Sequence, residues 1–174
     1  AFLINMPVLK GHCQTHVTCA LKNAKSVIPS AEKRRFHTLG LHKPIAHLNT
    51  VVRWGFILVD NICGDLDFEE GGNPVTMNRI LGCLDPVLCD SFVCQTMGYE
   101  ILEVPYIGLA ERLGVGSSDL SKAKIIALND GVAAGQKSTR RIAALEAYAA
   151  PDAACSACYG SLIYALNWLE SESG

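Results

Sequence analysis

Short apolar runs separated by turn residues restrict this chain more than any other feature. Residues 1–6 (AFLINM), 55–60 (GFILVD), 79–84 (RILGCL) and 124–128 (KIIAL) are too short for buried helices and read as buried strands. Segments of helical spacing lie between them. Residues 42–53 carry Ile45, Leu48, Val51 and Val52 on one side, with Pro44 suited to a first turn. Residues 86–97 follow Asp85, a good helix-starting residue before Pro86, and end at Gly98. Residues 104–113 form a short helix closed by Gly114, and 138–149 form another. Pro151-Asp152 opens a last helix with Leu162, Ile163, Leu166 and Leu169 on its apolar side. Residues 10–29 read as part loop and part short helix, and 61–75 as an acidic loop rich in turn residues.

Strands alternating with helices predict an α/β fold, a layered sandwich with a mainly parallel or mixed sheet covered by helices. Hydrophobic residues make up 49% of the 174 and charged residues 18%, enough apolar mass for one real core. Residues 1–174 therefore read as a single α/β domain. The chain starts inside a strand, which suggests the C-terminal portion of a longer protein.

The net charge of −2 hides a segregation. Residues 1–53 hold eight Lys or Arg, one acid (Glu32) and all five His, whereas 54–174 hold seven Lys or Arg and sixteen acids. The first third is expected to face an anion, a metal, or both. Lys10-Gly11-His12 follows the first strand, where ligands of open α/β sheets bind. Lys10 and His12 are thus candidates for anion binding and proton transfer, with Gly11 allowing close approach. Lys22 and Asn23 sit at the edge of an apolar segment, as a desolvated amine, an anion clamp or a solvated lysine. Arg35 belongs to a basic knot, Lys33-Arg34-Arg35, able to grip a carboxylate or phosphate. The knot is short and aromatics are few, so nucleic acid is not the expected partner. The acidic loop Asp60, Asp65, Asp67, Glu69 and Glu70 offers oxygens to a hard cation, or merely a solvated turn.

Eight cysteines without a visible secretory leader read as reduced, cytoplasmic thiols, most of them core fillers. Cys155 and Cys158 stand apart as a CxxC at the start of the last helix. That pattern suits a low-pKa thiol, half of a metal or iron–sulfur site, or two core residues. No apolar run is long enough to span a bilayer, and no membrane partner is expected.

The blocks LINMPVLKGHCQTHVTCALKNAKSVIP, RRFHTLGLHKPIAHL, FILVDNICGDLDFEEGGNPV, LDPVLCDSF and MGYE occur here in order. Together they resemble the prokaryotic family catalogued as domain of unknown function 362. The family is typically longer at the N-terminus, and some members carry a ferredoxin-like cluster segment; this chain has CSAC near its end instead. A second, weaker resemblance is to nickel-pincer lactate racemases. It implies a catalytic role for His12, cofactor holding by Lys22 and metal ligation by His37.

Three functions follow as expectations. The first is an enzyme domain binding an anionic small molecule, and a metal ion, around Lys10, His12, Lys22 and His37. The second is an iron–sulfur or thiol redox protein that uses Cys155 and Cys158 with a redox partner. The third is a non-catalytic module whose basic and acidic parts assemble a homo-oligomer.

Overall fold

The computed structural model describes residues 1–129, 137–150, 152 and 154–173. Its centre is a mixed three-stranded sheet of order β1 (Ile4–Asn5), β4 (Phe56–Asp65), β5 (Pro74–Cys83). β1 runs parallel to β4, pairing Ile4 with Phe56 and Asn5 with Ile57, and a further parallel bridge joins Val8 to Asp60. β4 and β5 are antiparallel, from Ile57 opposite Cys83 to Asp65 opposite Pro74, with an irregularity between Asn61 and Cys63. A separate hairpin pairs β2 (Lys10–His12) with β3 (His16–Thr18).

Five α-helices lie between residues 20 and 112: α1 (Ala20–Asn23), α2 (Ser30–Leu39), α3 (His42–Val51), α4 (Pro86–Thr96) and α5 (Pro105–Arg112). One face of β4 turns Ile57 and Val59 into a core shared with Leu9, Val17, Leu21, Ile45, Val87, Tyr106 and Ile107. The alternate residues Asp60 and Ile62 are exposed, the period-2 signature of a sheet covered on one side. Two further helices, α6 (Arg141–Glu146) and α7 (Ser156–Ser173), build a satellite cluster from Phe68, Ile142, Leu145, Tyr159 and Ile163.

The α/β class and the mixed sheet match the sequence reading, and α3, α4 and α5 lie where periodicity placed them. In α4, Asp85 Oδ1 accepts from Val87 N at 2.8 Å and Leu88 N at 3.1 Å, and Gly98 takes a φ of +87° just beyond the last turn. Other expectations are corrected. Residues 10–18, read as loop or short helix, form a hairpin. Residues 61–65 and 74–75, read as loop, belong to β4 and β5, because pairing between the two carries the ladder past the apolar run. Residues 124–128 are not a strand: they have no sheet partner among the described residues, and Leu128 is 91% exposed. An apolar run becomes a strand only where a neighbour offers a ladder. Helix α6 is shorter than residues 138–149. Asp152 lies in a turn ahead of α7, and Pro151 lies outside the described residues.

Helix α1 has four residues, too few to sustain itself. Its N-cap, Cys19, makes no side-chain cap bond. The cap comes instead from Asp90 on α4, fully buried, whose carboxylate accepts from Ala20 N at 2.7 Å and Leu21 N at 3.2 Å. Burial pushes Asp90 up to about 7, while the two amides work to keep it ionised. The carbonyls of the same two residues are also held: Asn49 Nδ2 donates to Leu21 O at 2.9 Å and Asn5 Nδ2 donates to Ala20 O at 2.8 Å.

Replacing Asp90 with Ala leaves two buried amides unpaired and is expected to lower unfolding free energy by about 3 kcal/mol. The same change at the N-cap Asp85 should cost about 1 kcal/mol. Urea unfolding of both variants measures the difference.

Candidate functional site

Local structure brings Lys10, His12 and Lys22 to one place. The hairpin sets Lys10 opposite Thr18, and α1 begins two residues after β3 and carries Lys22. The loop 66–73 then folds back onto β2. Gly11 makes this approach feasible: a Cβ there would lie 2.4 Å from the Asp67 carbonyl carbon and oxygen. The acids of the loop hold its shape. Asp65 Oδ1 accepts from Asp67 N and Phe68 N, and its Oδ2 accepts from Asn73 N. Asp67 accepts from Ser138 Oγ at 2.6 Å and Thr139 Oγ1 at 2.7 Å. Protein donors thus occupy the oxygens of Asp65 and Asp67, which the sequence reading offered to a cation.

The loop delivers Glu69 to the basic residues. Its Oε1 lies 3.1 Å from Lys22 Nζ and 3.6 Å from Lys10 Nζ, and its Oε2 lies 2.9 Å from His12 Nε2. Lys10 Nζ also donates to Glu69 O at 3.3 Å, and Lys22 Nζ donates to Thr18 Oγ1 at 2.8 Å. His12 Nδ1 accepts from Gln14 N at 3.0 Å and Thr15 N at 3.2 Å, so the ring proton sits on Nε2 and points at Glu69. Burial lowers His12 to about 4 against the pull of Glu69, and the ring is neutral at pH 7. Burial lowers Lys22 to about 8, again opposed by Glu69. Burial alone would raise Glu69, but the His12 N–H and the Lys22 ammonium outweigh it and hold the carboxyl well below its usual range.

Two hollows share Glu69. One, of about 330 Å³, is lined by Lys10, Lys22, Asn23, Lys25, Lys33 and Glu69 together with Met6, Val8, Thr18 and Ser26. The other, of about 640 Å³, lies between His12, Cys13, Glu69 and α7 from Ser156 to Trp168. His37 stands beside them. Its Nε2 is 3.0 Å from Lys25 Nζ, and its Nδ1 is hydrogen-bonded to Ser156 Oγ.

The structure therefore unites four of the expected residues. Lys10, His12 and Lys22 meet on Glu69, and Asn23 lines the lysine hollow while donating to Asn5 Oδ1 at 2.7 Å. His37 is a neighbour of this group with both ring nitrogens engaged, one of them by a lysine, which opposes a cation there. Arg35 does not line either hollow; it is exposed and paired with Glu32 at 3.6 Å on its own helix. Cys155 and Cys158 place their sulfurs 3.5 Å apart at the start of α7, without His37 as a third ligand among the described residues. The one set of three metal-ligating side chains among the described residues is Cys19, Cys89 and Asp90, all buried, with ligand atoms within 4.8 Å of one another. Asp90 already caps α1 there, and burial raises the Cys19 thiol.

In the sequence Glu69 is one of five loop acids with nothing to set it apart, and Lys25 is not among the candidate residues. The signal for Lys25 was its place three residues after Lys22, one helical turn on. Glu69 had no local signal, because its partners are 47 to 59 residues away.

A family model described as Domain of unknown function (DUF362) matches residues 1–95, which include Lys10, His12, Lys22, Glu69 and Asp90. No curated protein and no solved structure matches the chain. The likeness to nickel-pincer lactate racemases therefore has no counterpart in these comparisons.

Glu69→Gln removes the charge that supports the protonated forms of both neighbours. The titration midpoints of His12 and Lys22 should then fall below about 4 and about 8, as followed by nitrogen-15 NMR. Gly11→Ala forces loop 66–73 off β2 and is expected to cost about 2 kcal/mol in urea unfolding. Loss of the Glu69 contacts would move the same NMR signals.

Proposed function

The chain belongs to the family catalogued as domain of unknown function 362, and we propose that it is an enzyme domain whose lysine-lined hollow binds an anionic small molecule. One observation carries the reading: Lys10, Lys22, Lys25 and Lys33 line a single hollow in which Glu69 is the sole carboxylate among the described residues. Glu69 offsets Lys10 and Lys22. Lys25 and Lys33 make no ion pair among the described residues, and Glu69 acts on Lys25 from beyond ion-pair distance. An uncompensated positive cleft concentrates anions, and about 330 Å³ is the size of a small-molecule site.

Lys22 supplies the proton chemistry in this reading. Thr18 and Glu69 take two of its three N–H directions, which leaves one for a ligand. A lysine lowered to about 8 loses and regains its proton near neutral pH, the range in which a general acid or base works well. Lys10, Lys25 and Lys33 orient the anion. Both nitrogens of His12 are already bonded, so His12 acts as a positioning residue that holds Glu69 in place. No metal is needed at the hollow for this role.

Calorimetric titration with inorganic pyrophosphate and with a four-carbon dicarboxylate tests the proposal. One of them should bind, and the double variant Lys25→Met, Lys33→Met should bind about tenfold more weakly, equivalent to 1.4 kcal/mol. Affinity should fall as pH rises through about 8, because Lys22 then loses its charge, and Lys22→Met should erase that inflection. Absence of binding by both anions, or binding that the lysine variants leave unchanged, overturns the reading.

A further inference from the structure

Cys155 and Cys158 lie outside the lysine hollow and have no part in its chemistry. Helix α7 runs over Ser156–Ser173, and the Cys155 carbonyl accepts from Tyr159 N at 3.0 Å, which makes Cys155 the residue that starts the helix. Cys158 follows three residues later, and the two sulfurs lie 3.5 Å apart. Cys155 is half-exposed and Cys158 exposed, so both are open to a reagent in solution. The turn that bears them is anchored. Ser156, between them, is buried and bonded to His37 on α2, and Tyr159 and Ile163 pack into the satellite cluster. The pair is thus a preorganised dithiol on a fixed helix end.

We propose that Cys155 and Cys158 form a reversible dithiol–disulfide couple that exchanges with low-molecular-weight disulfides. Cys155 is the attacking sulfur. The Cys158 backbone amide and thiol, with the Ala157 amide, stabilise its thiolate, as expected of a sulfur at the positive end of a helix. The neighbouring Cys155 sulfur keeps Cys158 in the thiol form. The other cysteines offer a contrast. Burial raises Cys13 to about 11 and Cys94 to about 12 and also raises Cys19, while neighbouring thiols and burial raise Cys83 and Cys89.

The exchange balances in two steps. The Cys155 thiolate attacks one sulfur of R–S–S–R, the S–S bond breaks, and one RS⁻ leaves while Cys155 becomes a mixed disulfide. Cys158 then gives up its proton and attacks the Cys155 sulfur, expelling the second RS⁻. The protein has lost two electrons and two protons, and R–S–S–R has become two RSH; excess RSH runs the steps backwards. A metal or iron–sulfur role would need more ligands, and among the described residues no third His, Cys or carboxylate joins the pair.

The test uses the full chain, reduced and then exposed to oxidised glutathione, quenched by alkylation and mapped by peptide mass. Cys63, exposed and far along the chain on β4, is the internal control thiol. A Cys155–Cys158 disulfide is expected as the main product. In Cys158→Ser, glutathione should accumulate on Cys155, at a rate whose pH midpoint lies below the free-thiol value of about 8.5. In Cys155→Ser, modification of Cys158 at pH 7 should slow about tenfold or more, to the rate of Cys63. The proposal is overturned if Cys155 reacts no faster than Cys63, if the disulfide formed joins other cysteines, or if the purified chain carries zinc that leaves on Cys155→Ser substitution. Pyrophosphate binding to the lysine hollow is unaffected by these variants, so the two readings fail separately.

Discussion

A buried carboxylate at the end of a four-residue helix underlies the arrangement of this molecule. Helix α1 cannot form alone, since nucleation fixes several residues for one hydrogen bond. Asp90 supplies acceptors to its first two amides, and Asn49 and Asn5 hold its carbonyls. These contacts join β1, α3 and α4 through α1. Such a buried polar network is stable only when complete, because each unpaired group inside costs its full desolvation. Lys22 owes its position to this network, and with it the site.

Glu69 is the second organising group. Burial would neutralise Lys22, His12 and Glu69 if each stood alone. Together, the carboxylate keeps its charge, Lys22 stays poised near neutrality, and His12 stays neutral as a donor. Lys10 adds a second cation at longer range. The Gly11 backbone lets the acidic loop come close enough for all of this, while Asp65 is spent on the loop's own amides and Asp67 on residues 138 to 141. The contrast in charge between the two parts of the chain thus meets at Glu69, with Lys25 and Lys33 lining the same hollow.

Much of the fold was legible in residues. Asp85-Pro86 and Gly98 marked both ends of α4, and the spacing of Ile45 and Leu48 marked α3, because caps and helical periodicity are local. The hairpin at residues 10–18 was not legible. Its strands have three residues each, and His16 turns the chain with a φ of +56°, a conformation that residue type rarely signals. Residues 124–128 show the converse, a β-like run left exposed for want of a partner strand.

The α/β class, the concentration of lysine and histidine ahead of residue 54 and the CxxC at a helix start are already written in the residues. These are properties of composition, period and short spacing, which need no distant contact to be expressed. Tertiary structure alone decided that Glu69, among five loop acids, would meet Lys10, His12 and Lys22, that Arg35 would stand apart, and that Asp90 would cap a helix 69 to 70 residues before it. The physical reason is that a charge pair depends on distance and desolvation. Both are set by how loop 66–73 and helix α4 pack, not by the residues beside them in the chain.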